Sequence, residues 1–216
     1  MASILKVNEI QNASGTSALS VDLSGNAAFT GDVQADGVYN QSGDSDSGLD
    51  LSTNDVVAVK TANTERMRID ADGRVTMPYQ PAFRVNATFS HSLGSGWETV
   101  GYDTNLTQRG NGYNTSTSIF TAPVAGWYHF SAALTFTGNT DTDGTFAISI
   151  NGSFSDLINS VSEPSTSGFT YNGHSVSGSA YLAANDNVKV VRYSTVTTVN
   201  RSGQEYGGWF SGYLIG

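Results

Sequence analysis

Along most of this sequence apolar and polar residues alternate with period two over short runs, and each run stops at a cluster of Gly, Asn, Asp or Ser. That is the pattern of half-buried strands joined by turns. From Ala82 onward the runs that read as strands are Ala82 to Phe89, Thr99 to Asp103, Ile119 to Thr121, Gly126 to Phe136, Thr145 to Ile150, Val176 to Leu182, Asn187 to Tyr193 and Trp209 to Ile215. No segment reads as a helix. About eight strands with turn residues between them predict an all-β fold, an antiparallel two-sheet sandwich of jelly-roll type.

The same grammar is thinner before Pro81. Leu19-Ser20-Val21-Asp22-Leu23-Ser24-Gly25-Asn26-Ala27-Ala28-Phe29 can be laid over Met67-Arg68-Ile69-Asp70-Ala71-Asp72-Gly73-Arg74-Val75-Thr76-Met77, each reading strand, Asp-x-x-Gly turn, strand. Leu49-Asp50-Leu51 and Val56-Val57-Ala58-Val59 form a related unit. Gly43 to Gly48 reads as a loop and Met77 to Pro81 as a hinge. Before Pro81 the aromatics are Phe29, Tyr39 and Tyr79, whereas every tryptophan lies after it, so the large core belongs to the later part. The predicted division is an elongated β-hairpin stem over residues 1–80 and a globular head over 81–216. Hairpins with few large side chains bury too little apolar area to offset their lost backbone entropy, so the stem needs partners; identical chains around a threefold axis would supply them.

The closing strand carries a similar message. Phe210 and Leu214 fall on one face and Tyr213 and Ile215 on the other, so both faces call for burial, and a subunit interface would cover the second.

Charged residues are 13% of the chain and the net charge is −9, without the basic stripe that neutralises phosphates or an anionic membrane face, so nucleic acid is not an expected partner. The absence of cysteine removes disulfides, thiolate nucleophiles and sulfur-ligated zinc. Neither a signal-peptide stretch nor a run of eighteen apolar residues is visible, and no membrane insertion is expected.

One segment is specific. Phe120-Thr121-Ala122-Pro123-Val124-Ala125-Gly126-Trp127-Tyr128-His129-Phe130 resembles the F-x-A-P-x-x-G-x-Y-x-F signature of C1q-like domains. Ala82-Phe83, Tyr113-Asn114, Ile148-x-Ile150-Asn151-Gly152, Val176 to Leu182, Asn185 to Val190 and Trp209 to Ile215 follow in the order that family shows, with Asn185-Asp186 where it usually carries Gly-Asp. The resemblance covers about residues 81 to 216 and implies a homotrimer of jelly rolls, with Phe120, Tyr128, Phe130, Phe210, Gly212, Tyr213 and Leu214 as core and trimer residues. Two shorter runs, Ile4 to Thr16 and Thr64-Glu65-Arg66-Met67-Arg68-Ile69-Asp70-Ala71-Asp72-Gly73-Arg74-Val75, are similar to runs in bacteriophage fibre proteins. They imply a virion protein held to other virion proteins through an N-terminal anchor that includes Ile4, Leu5, Val7 and Ile10.

No catalytic, cofactor or metal residue is assigned. Asn139-Thr140-Asp141-Thr142-Asp143-Gly144 imitates the first half of a calcium loop, but Ile150 stands where the closing carboxylate belongs, so it reads as a hairpin turn. His91, His129 and His174 lack a neighbouring nucleophile or base pattern, and His129 shares a face with Trp127. Trp97, Phe169, Tyr171 and Tyr206, on glycine-bearing segments outside the predicted strands, are the candidate receptor-binding residues for a host-surface glycan or protein. Together these readings predict a trimeric fibre or appendage on the phage particle, with a capsid decoration trimer as the alternative. A polysaccharide-degrading enzyme needs paired carboxylates in a groove, which the scattered acids of residues 81–216 do not provide.

Overall fold

The structure, a computed structural model of the chain, describes residues 9–11, 14–15, 17–21, 27–29, 37–41, 44–87, 92–93, 95–137, 143–164, 171–194, 199–201 and 208–216. The chain divides into two units, Met1–Met77 and Pro78–Gly216.

In the first unit, β1 (Glu9–Gln11), β2 (Ser17–Val21) and β3 (Ala27–Phe29) form a three-stranded antiparallel sheet. A five-stranded meander follows from β4 (Gly37–Gln41), β5 (Asp44–Asp50), β6 (Val57–Thr61), β7 (Thr64–Ile69) and β8 (Val75–Thr76). The two segments that match in sequence pair in equivalent register, Val21 with Ala27 and Ile69 with Val75. In the second hairpin the Asp70 carboxylate accepts the N–H groups of Asp72 and Arg74, both at 3.0 Å, while Gly73 takes φ 79°. One expectation needs correction: of the Gly43 to Gly48 loop, Gly43 lies outside the described residues and 44–48 are not a loop, because Asp44–Asp50 is a strand paired to β4 on one edge and β6 on the other. Its Ser and Asp side chains hid a strand whose order comes from backbone pairing rather than from apolar alternation.

The second unit holds β9 (Ala82–Asn86), β10 (Ser92–Leu93), β11 (Gly96–Thr99), β12 (Thr104–Arg109), β13 (Tyr113–Asn114), β14 (Ile119–Thr121), β15 (Gly126–Thr137), β16 (Asp143–Ile150), β17 (Leu157–Pro164), β18 (Tyr171–Leu182), β19 (Asn187–Ser194), β20 (Val199–Arg201) and β21 (Gly208–Leu214). One sheet has the order β10-β20-β15-β21-β9-β12 with β18 on the other edge of β15; the second runs β13-β14-β19-β16-β17 with β11 beside β19. All pairings are antiparallel and no helix occurs among the described residues, so the fold is an all-β jelly roll.

Residues 100–103, predicted as a strand, instead cross between the sheets. Val100 N–H donates to the Val190 carbonyl of the second sheet and Asp103 N–H to the Asn86 carbonyl of the first, at 2.9 and 3.0 Å. Val100 and Tyr102 are fully buried during the crossing, so their alternation is a core signal without a ladder. Tyr113 lies under it, its hydroxyl donating to the Tyr102 carbonyl at 2.9 Å, and burial pushes that phenol above its ordinary pKa.

The core between the sheets stacks aromatic rings: Phe83 lies against Tyr113 and Phe120 at 4.8 and 5.0 Å, and Phe210 meets Phe83 edge-on. Phe120, Tyr128, Phe130 and Phe210 are all buried. Gly212 faces the same core from β21; a Cβ there would stand 2.5 Å from Phe130 and 2.8 Å from Phe83. Gly126 opens β15 where a Cβ would meet Leu214 at 2.7 Å, and the Tyr128 hydroxyl fixes the preceding turn by donating to the Val124 carbonyl at 2.8 Å. Ladder bonds continue past β21, from Ile215 N–H to the Trp127 carbonyl and from Trp127 N–H to the Gly216 carbonyl.

Candidate functional site

Alternation along β15 sends Tyr128, Phe130, Ala132 and Leu134 into the core, so Trp127, His129, Ser131 and Ala133 must stand on the outer face. Register fixes their neighbours. Trp127 lies opposite Tyr181 of β18, His129 opposite Ser179 of β18 and Tyr213 of β21, and Ala133 opposite Trp209. The Trp127 and Tyr181 rings meet edge-on at 6.2 Å, the His129 ring lies 5.6 Å from Tyr213, and His129 Nδ1 is 3.0 Å from Ser179 Oγ. Further along, the Arg84 guanidinium of β9 sits 5.0 Å over the Trp209 ring.

This face is open to solvent. Trp127, Tyr181 and Tyr213 are 53%, 59% and 51% exposed, and Ile215 continues the patch. Strands β9, β15, β18 and β21 contribute no carboxylate to it, in a chain that carries nine net negative charges. A large aromatic patch that no described segment of the chain covers, on one sheet, is the signature of an interaction face.

The outer face of the second sheet is finished differently. Trp97, Tyr193, Val191, Ala147 and Ser149 share it by register. Ser149 Oγ donates to the Ser153 carbonyl at 2.7 Å, drawing the 151–156 loop inward, and Phe154 stacks on Trp97 at 4.9 Å with the planes 14° apart. Tyr193 packs on Trp97 at 5.4 Å. Ala147, Ser149 and Val191 are consequently buried although they point outward. Trp97 is therefore corrected from an exposed loop aromatic to a residue of β11, half-buried, with a ring face already occupied by Phe154.

Of the other expected site residues, Phe120, Tyr128, Phe130, Phe210 and Gly212 are buried within one chain, Leu214 is partly buried and Tyr213 is exposed. Tyr171 opens β18, and Ile10 is an exposed residue of β1. Phe169, Tyr206, Ile4, Leu5 and Val7 lie outside the described residues, as do His91 and residues 139–142 of the Asp-rich turn. The sequence reading passed over Trp127 and Tyr181 as partners of Tyr213; the signal was available in the alternation, since each stands one residue from a core position. Among the described residues no group of three or more His, Asp or Glu could hold a metal ion.

A family model described as "C1q domain" matches residues 82–215. No curated protein matches the chain. Among solved structures the chain is similar to the globular domain of zebrafish complement 1qA protein, at 15% identity over 63% of this chain and 98% of that one, with a TM-score of 0.47. It is also similar to murine APRIL crystallised at pH 8.0, at 15% identity over 63% of this chain and 99% of that one, with a TM-score of 0.49.

Proposed function

The chain belongs to the C1q domain family, and from that premise we propose that it is a non-enzymatic homotrimer whose heads associate through the Trp127, Tyr181 and Tyr213 face and serve as the globular end of a bacteriophage surface appendage. The observation that carries the trimer is the aromatic face itself, free of carboxylates from β9, β15, β18 and β21 and uncovered by the described residues. Burying it between copies removes the exposed area of Trp127, Tyr181 and Tyr213 from water.

The virion reading is supported by the runs similar to phage fibre proteins at residues 4–16 and 64–75, the second of which forms the β7–β8 hairpin. In this reading the N-terminal residues, Ile10 among them, hold other virion proteins, and the head binds a host-surface glycan or protein. Recognition is assigned to the end of the sandwich opposite Pro81 and Gly216. There β15 ends at Thr137, β17 at Pro164 and β19 at Ser194, and β18 begins at Tyr171. A capsid decoration trimer is the second reading.

Light scattering of the purified chain tests the assembly, with a trimer mass expected at micromolar concentration and a stable monomer refuting it. Immunogold labelling of intact particles then separates the two virion readings: label at a fibre tip supports host attachment, and label spread over the capsid wall supports decoration. A particle without label refutes both.

A further inference from the structure

We propose that the apolar face of the five-stranded stem sheet is a second contact between copies of this chain, so that the stem as well as the head is built from three chains. The inference rests on the head trimer proposed above.

Register places Leu49 beside Val59 and Val59 beside Met67, then Val57 beside Ile69 and Ile69 beside Val75. These six side chains share one face across four strands. Leu49, Val57, Ile69 and Val75 are all exposed in the single chain, so none of the described residues covers them.

The other face is complete without help. Asp50, Ala58, Lys60, Glu65 and Arg68 stand there by the same pairing. Lys60 pairs with Asp50, and Arg68 makes a two-pronged contact with Glu65 at 2.6 and 2.9 Å. Ala58, on the same face, is only 3% exposed. Asp50, Lys60, Glu65 and Arg68 are thus engaged on the face that is already finished, while Arg66 reaches the Thr61 hydroxyl at 2.8 Å beside the turn, beyond the six apolar side chains. A strip of six apolar side chains offers a polar partner little to bind, and its closest complement is the same face of another copy.

Connectivity decides between copies and a foreign protein. Only residues 77–81 separate β8 from β9, so a head trimer holds three stem sheets on short tethers. Short tethers give effective concentrations of about 1 mM, enough to populate a contact too weak to form between free chains. A foreign partner has no such advantage.

The test uses the full-length chain, which has no cysteine and so gives a single thiol per variant. Val75→Cys and Thr76→Cys put that thiol on adjacent residues of β8, both exposed in one chain and pointing to opposite faces. Val57→Cys repeats the first measurement on β6, the middle strand. Alkylation by a maleimide should be at least about tenfold slower at Val75→Cys and Val57→Cys than at Thr76→Cys, since thiol reactivity follows access. Equal rates in a sample whose mass is that of a trimer overturn the stem contact and leave the head interface standing. Monomer mass overturns both, and slow alkylation in a monomer overturns the stem contact as well, because the cover then comes from within one chain.

Discussion

Trp127→Ser is the sharpest perturbation of the proposed head interface. Trp127 is 53% exposed on the outer face of β15, and its neighbour Tyr128 alone carries the core side of that position. Aromatic side chains offer about 150–250 Å² each, so roughly 130 Å² of this tryptophan remains for another chain to cover. At about 25 cal/mol per Å² that area is worth roughly 3 kcal/mol per chain, or about 10 kcal/mol over three equivalent positions. A tenfold change in equilibrium constant takes about 1.4 kcal/mol, so the trimer constant falls by roughly seven decades. The midpoint concentration varies as the square root of that constant and rises about three-thousandfold; one third of the free energy still gives more than a tenfold rise. Folding of the single chain should change by only about 0.5 kcal/mol, because the position is on the surface. Sedimentation velocity over a dilution series measures the midpoint, and circular dichroism checks the fold. A well-folded variant whose midpoint moves less than threefold, within the scatter of about 0.5 kcal/mol expected for a neutral surface change, refutes the assignment of this face.

Other outcomes follow from the same geometry. Gly212→Ala should destabilise the head by about 1–3 kcal/mol, because the new methyl drives into the Phe130 and Phe83 rings; an unchanged thermal midpoint would contradict the packing. Phe210→Ala, which empties the middle of the core, should cost about 3–5 kcal/mol by chemical denaturation. Phe154→Ala should expose Trp97 and shift its fluorescence to the red without altering trimer mass, and a lowered mass would move the interface to the wrong sheet. In the stem, the Lys60 ammonium holds the Asp50 carboxyl below its ordinary range, and Arg68 and Arg74 do the same for Glu65 and Asp70. Carboxyls with lowered folded values stabilise above their unfolded pKa and lose that contribution as pH falls, so stem stability should drop as pH falls below about 4. High salt should shrink the effect, and an acid-insensitive stem would show that these pairs do not matter.

Where alternation was strong the strands were legible: Gly126 to Phe136, Thr145 to Ile150 and Asn187 to Tyr193 lie within β15, β16 and β19. The crossing at Val100 to Asp103 looked like a strand because two alternating residues are buried there, and period two reports burial rather than ladder pairing. β17 was missed for the converse reason. A register shift between Ile148 and Ser149 lets Ile158 and Val161, three residues apart, both pack against the core, which breaks the alternation. β5 was hidden because Asp, Ser and Gly precede its one apolar residue, Leu49. The aromatic face was half legible: Tyr213 stood out because the last strand looked apolar on both sides, whereas Trp127 and Tyr181 join it only through the pairing of three strands distant in sequence. The strap that brings Phe154 onto Trp97 left no trace in local pattern, since Phe154 sits alone among serines.

β21 is the last strand of the head in sequence, yet it lies between β15 and β9 in the first sheet. Until residues 208–214 have left the ribosome, that sheet is split into two pieces with raw edges, and the core lacks Phe210. Head closure therefore waits for this strand, and a chain cut short before Gly208 has neither the middle of its sheet nor Tyr213 to offer a partner. Any assembly that depends on this strand rejects incomplete products without a separate proofreading factor.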